Sequence, residues 1–207
     1  MPIRRLRYLL IGPNPFMPTF NHTAAIAYAR QWAAGRNPEY PDAGGSVDCT
    51  NFISQCLVAG GWPMIPGYKK IRDFWWCDQQ DLTKKNWSSS WAAAPDMAAF
   101  FWLSSRAELL WVTQGILPSA KSLQAGDVLM YGERDEVTSA EHACLVTWVN
   151  TQDPKNSIMH QHGLGPWRYF KYLDELYSEK WWKAWRMKKI FPPGDEPPPG
   201  RIVNRRG

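Results

Sequence analysis

An α+β domain is the architecture this sequence predicts, and three observations lead to it. Apolar residues recur at helical spacing in the first half; short β-branched and aromatic runs, divided by polar turns, fill the second; and the two patterns do not alternate as a βαβ chain would. At 207 residues, with 44% hydrophobic and 21% charged residues and no shift in composition, the chain has the material for one conventional core. The expected organisation is an irregular leader over 1–19, broken by Pro2, Gly12, Pro13, Pro15 and Pro18, then one domain over 20–191, then a Pro-rich basic tail over 192–207.

The first helix is expected over 21–34, with Asn21 as N-cap and Gly35 supporting its end. The Pro- and Gly-rich loop 37–45 leads into a second helix, where Phe52, Ile53, Cys56, Leu57 and Gly60 share one face and Gly60-Gly61 supplies the stop. Residues 62–91, with Pro63, Pro66, Gly67, the run Phe74-Trp75-Trp76 and serines between Trp87 and Trp91, read as long loops. A third helix is expected over 95–104, behind Pro95, and a turn over 118–126. Four antiparallel strands follow, over 127–131, 142–149, 157–162 and 185–191. No internal repeat is present.

The net charge of +5 suits an anionic partner, but Arg4, Arg5, Arg7, Arg201, Arg205 and Arg206 place much of the excess at the ends, as on a solvated surface. No zinc-finger, phosphate-loop or RNA-recognition signature accompanies it, so nucleic acid is not an expected partner. Thirteen tryptophans fill a core and its rim, and a subset at a groove would stack on sugar rings or peptide. The apolar run Tyr8 to Ile11 is too short for a signal peptide and no segment is long enough to span a membrane, so a soluble product of a reducing cytoplasm is expected. A target in the periplasm or cell wall would then need a dedicated delivery route. A secretion or inhibitor partner leaves no readable mark.

Cys49 stands in the first turn of the second helix, where unpaired N–H groups and the positive end of the helix dipole favour a thiolate. Cysteine is also a common space-filling core residue, so position alone leaves both readings open. Cys49 and Cys56 lie two turns apart on one helix and cannot pair with each other.

The wording around Cys49 is more specific. Asn21-His22-Thr23-Ala24-Ala25, Asn37-Pro38-Glu39-Tyr40-Pro41, Asp48-Cys49-Thr50-Asn51-Phe52-Ile53, Ala59-Gly60-Gly61, Trp87-Ser88-Ser89-Ser90-Trp91, Ala125-Gly126-Asp127-Val128, His142-Ala143-Cys144-Leu145-Val146 and Gln161-His162 together resemble the Putative amidase domain family, over most of the chain to about Ile190. That family looks like a branch of the papain-like cysteine hydrolases, near the cysteine, histidine-dependent amidohydrolase/peptidase (CHAP) group. The resemblance implies a papain-like fold, with N-terminal helices packed on an antiparallel sheet. It implies amide hydrolysis, with Cys49 as nucleophile, and it points to peptide bonds of bacterial peptidoglycan as substrate.

A cysteine hydrolase needs a base beside sulfur and a third group to orient the imidazole. His142, before a β-branched run, matches the family's histidine and is the expected base. His160 and His162 leave the same face of one strand, and His162, in the Gln-His pair, is chosen as the orienting residue; Gly163 follows it where the family usually has Thr. His22 reads as a surface or capping side chain. The backbone N–H of Cys49 is one oxyanion donor; residues 42–46 contain no Gln to serve as a second. Asp48 reads as the helix cap, fixing the angle at which Cys49 emerges. No cofactor or metal is expected. A zinc site drawn from His142, His160, His162 and a thiol is the competing chemistry, without a Cys-x-x-Cys or His-Glu-x-x-His pattern behind it. An intracellular amidase or protein peptidase, and a non-catalytic binding domain, are the remaining alternatives.

Overall fold

The computed structural model describes residues 20–44, 48–104, 106–115, 117–162, 170–173 and 179–188; the leader 1–19 and tail 192–207 lie outside them. The architecture is α+β. Helices α1 (His22–Trp32), α2 (Asp48–Ala59), α3 (Ser89–Ala92) and α4 (Ala94–Ser104) precede or flank strands β1 (Ala107–Gln114), β2 (Val128–Gly132), β3 (His142–Trp148), β4 (Ile158–His160), β5 (Phe170–Tyr172) and β6 (Trp181–Met187). The strands form one sheet in the order β1-β6-β2-β3-β4-β5, with every neighbouring pair antiparallel.

Asn21 caps α1 as its sequence position predicts, accepting from the Ala24 backbone N–H at 3.0 Å. Helix α2 is the centre of the packing: Phe52, Ile53, Cys56 and Leu57 are wholly buried against α1, the tryptophans and β3. Phe52, Ile53 or Leu57, truncated to Ala, should cost about 2–5 kcal/mol. Polar contacts hold the helix as well. Ser54 Oγ donates to the Trp91 carbonyl at 2.7 Å and accepts from Trp75 Nε1 at 3.0 Å, so two of the buried indoles are tied to it directly.

The central strands β2, β3 and β6 are buried on both faces. Val128, Met130, Ala143, Leu145 and Trp185 face the helical core, whereas Leu129, Cys144, Val146, Met159, Trp182 and Ala184 pack on the other side with Ala120, Leu123 and Leu173. Close approach to α1 demands glycine at 126, where φ is +99° and a Cβ would lie 2.3 Å from His22 Nδ1.

Two strands beyond the four expected are present. In β1 the apolar residues Leu109, Leu110 and Trp111 run together across a register shift between Leu109 and Trp111, so the alternation that marks a strand is broken. Strand β6 begins at Trp181 rather than Trp185, because Lys183 occupies a buried position that reads as solvent-facing in sequence. Its ammonium donates to the carbonyls of Arg134 at 2.5 Å and Ser139 at 2.6 Å, tying down the loop that leads into His142. The segment 62–91 has more order than the expected long loops: bridges Ile65–Trp75 and Cys77–Trp87, a 3₁₀ turn at Leu82–Lys84, and α3. The tryptophans go mainly inward, with Trp62, Trp75, Trp91, Trp182 and Trp185 fully buried; Trp102 and Trp148 are exposed.

Candidate active site

The start of α2 meets the start of β3, and this junction joins Cys49 to His142. Cys49 is 3% exposed. Burial alone would push its thiol up, but the hydrogen bond and charge of His142, with the Thr50 hydroxyl and the Ala143 backbone, hold it below the ordinary cysteine value. Thr50 Oγ1 lies 3.6 Å from the sulfur. The other cysteines contrast with it: burial pushes Cys56 well above the ordinary value and Cys77 up to about 12. None of the four is in a disulfide.

His142 is fixed from two further sides. Its Nε2 lies 2.7 Å from Gln161 Oε1, an acceptor, so Nε2 carries the proton and Nδ1 is the nitrogen left for sulfur. Its ring packs against Tyr131, centroids 5.3 Å apart, and Tyr131 packs in turn on Trp182 at 4.8 Å.

His162 takes a different position from the one expected of it. Its Nδ1 lies 3.0 Å from Asp48 Oδ2 and its Nε2 2.9 Å from the Trp32 carbonyl, while its ring stacks on Phe52 at 4.2 Å. The residue that touches His142 is the neighbouring Gln161. Register is the reason: Leu145 pairs with His160 and Val146 with Met159, so 159 and 161 share the face of 142, 144 and 146. His160 and His162 fall on the helix-facing side. His160 Nδ1 lies 2.7 Å from Thr147 Oγ1, and burial, with Arg30 nearby, lowers its pKa to about 4.

Asp48 is the first residue of α2, and its carboxylate is engaged by side chains. Arg36 Nη1 donates to Asp48 Oδ1 at 2.7 Å and also lies 2.7 Å from Asp42 Oδ1. Burial would raise the Asp48 carboxyl; the hydrogen bonds and charges of His162 and Arg36 bring it below its ordinary value. A carboxylate in the first turn also suits the helix dipole.

Sequence reasoning missed Gln161 as the contact on His142, and Arg36 with His162 as the anchors of Asp48. Strand parity would have found Gln161 had the β3–β4 register been readable. Among the described residues no three His, Cys, Asp or Glu side chains converge to hold a metal ion. No helix among them is long and apolar enough to cross a membrane.

Comparison with known proteins gives two findings. The family described as Putative amidase domain matches residues 19–188. The chain is also similar to "Uncharacterized protein YhbB" of Bacillus subtilis (strain 168), 38% identical over 112 residues, which is 54% of this chain and 32% of that protein. The match thus spans about a third of the length of that relative. No solved structure matches the chain.

Proposed function

The chain belongs to the Putative amidase domain family, and on that premise we propose that it is a cysteine-dependent amide hydrolase related to the papain-like and CHAP enzymes. The observation that carries the reading is the Cys49 thiol, held below its ordinary pKa by His142 in spite of burial, with Gln161 on the far nitrogen of the same imidazole.

In this mechanism the Cys49 proton passes to His142 Nδ1 and the thiolate attacks the substrate's carbonyl carbon, forming a C–S bond. The oxygen becomes an oxyanion, met by the backbone N–H of Cys49 in the first turn of α2, where the helix dipole favours negative charge. Collapse breaks the C–N bond, and the imidazolium gives its proton to the leaving amine. The thioester that remains is attacked by water, which loses a proton to His142. Collapse releases the acid, and the thiol regains its proton. Gln161 Oε1 keeps the Nε2–H tautomer through both halves, so this positioning role moves from His162 to Gln161.

The substrate proposed is a peptide amide of bacterial peptidoglycan, in a stem peptide or cross-link. The family's amidase chemistry and the net charge of +5, which suits an anionic wall polymer, support it. The buried tryptophans do not contribute to it. Incubating purified sacculi with the wild-type protein and with Cys49→Ala, then sequencing the released fragments by mass spectrometry, tests it. New amine and carboxyl termini with the wild type alone are expected. Sacculi of several wall chemotypes left intact by folded wild type would contradict the substrate, and cleavage by Cys49→Ala would contradict the mechanism.

A further inference from the structure

A recessed feature lies beside α2, turned away from the thiol. Asn51 and Gln55 sit roughly 120–160° around the helix from Cys49, at ~100° per residue. With Arg36, Tyr40, Asp42 and His162 they line a pocket of about 190 Å³. At ~30 Å³ per water that is space for roughly six waters, or for a fragment of comparable size. Asn51 is 2% exposed and Gln55 4% exposed, so both amides belong to the buried floor.

Their orientations are fixed by the groups behind them. The Glu39 backbone N–H donates to Asn37 Oδ1 at 2.9 Å, so the Asn37 amide nitrogen is the group that donates to Tyr28 Oη at 3.0 Å. Tyr28 then gives its own proton to Gln55 Oε1 at 2.7 Å. The indole Nε1 of Trp91, a donor only, reaches Asn51 Oδ1 at 2.8 Å. Both amide oxygens are therefore occupied from behind, and both amide nitrogens are left as the polar ends. Asn51 Nδ2 has only 3.5 Å contacts, to the Pro41 carbonyl and Asp48 Oδ1. Among the described residues no acceptor meets Gln55 Nε2. Asn51 Nδ2 thus holds its acceptors only at long range, and both amide nitrogens on the pocket floor are placed to take a closer acceptor from a ligand.

We propose that this pocket is a binding site for an uncharged, carbonyl-bearing group such as an acylamide. Asn51 Nδ2 and Gln55 Nε2 donate to its oxygens. Charge selects against an anion: the Arg36 guanidinium is shared between Asp42 and Asp48, so no net positive charge is left to attract a carboxylate. Tyr40, stacked on Trp91 with centroids 6.0 Å apart, gives the pocket a rigid apolar wall. Binding here does not rest on the hydrolase reading.

The test is an NMR titration of the full chain with N-acetylglycinamide as neutral probe and N-acetylglycine as its anionic counterpart, run on the wild type and on Cys49→Ala. Saturable binding of the neutral probe in roughly the millimolar range is expected, with shifts in the side-chain amide signals of Asn51 and Gln55. The affinity should be equal in Cys49→Ala, at least tenfold weaker in Gln55→Met, and a few-fold weaker in Tyr28→Phe, which keeps the pocket's shape and frees the Gln55 amide. Gln55→Glu, of the same size, should lose the neutral probe as well. Non-saturable shifts, tighter binding of N-acetylglycine, or unchanged affinity in both folded Gln55 variants would overturn the proposal. Probe binding by a protein that hydrolyses no amide would uphold the pocket and count against the hydrolase alone.

Discussion

Two histidines lie near the first turn of α2, and their surroundings differ in kind. His142 faces a thiol on one nitrogen and a neutral amide oxygen on the other, so its proton can move. His162 has a carboxylate oxygen beside Nδ1 and a backbone carbonyl beside Nε2 and is stacked on Phe52, so both nitrogens lie against fixed groups of the fold. A proton-transfer residue needs one nitrogen on the reacting atom; an anchor needs both on fixed acceptors. One step of strand parity, between 161 and 162, separates the side chain that meets His142 from the one that meets Asp48.

The largest effect that would break this contrast is on turnover. His142→Ala and Cys49→Ala should each lower amide hydrolysis by about three orders of magnitude or more while leaving the thermal midpoint within a few degrees, measured by steady-state kinetics and calorimetry. His162→Ala should do the reverse. It leaves Asp48 buried beside Arg36 alone, and we expect about 2–3 kcal/mol lost in urea unfolding, with residual activity tracking the folded fraction. If His162→Ala removed activity from a protein of unchanged stability, the two assignments would have to be exchanged.

Gln161→Ala sharpens the contrast on a smaller scale. It removes the acceptor that holds the His142 tautomer, so kcat should fall about 10- to 100-fold, with partial recovery in Gln161→Asn. The smallest effect concerns His160, whose folded pKa near 4 lies below its ordinary 6.5. Between those two values the unfolded chain binds more protons, so stability falls as the pH drops from 6.5 towards 4 and is unaffected above 6.5. His160→Gln should flatten that decline by roughly 1–2 kcal/mol, the ring being only partly buried. Chemical unfolding at several pH values measures it.

Much of this was legible in the sequence for identifiable reasons. Asn21, the apolar face of α2 and the β-branched run after His142 are local signals, and each marks an element the structure contains. Cys49 and His142 could be singled out from helix-start chemistry and from the family's wording. What sequence could not give was register. From sequence, His162 is preferred to His160 as the orienting residue; finding Gln161 on His142 required knowing that Leu145 pairs with His160, a fact set by the turn and the bulge near Trp148 and written in no single residue. The same holds for Arg36, twelve residues before Asp48, and for Lys183, whose burial depends on carbonyls from a loop more than forty residues upstream.

The pH dependence of Cys49 alkylation tests the central claim most directly. Iodoacetamide incorporation is followed by mass spectrometry from acid to alkaline pH, site by site, in the wild type and in His142→Ala. The account predicts that Cys49 is labelled ahead of Cys56, Cys77 and Cys144, with an inflection below the ordinary cysteine value of 9.0 that moves upward when His142 is removed. An inflection at or above that value, or one that His142→Ala leaves in place, would contradict the Cys49–His142 pair as the reacting unit.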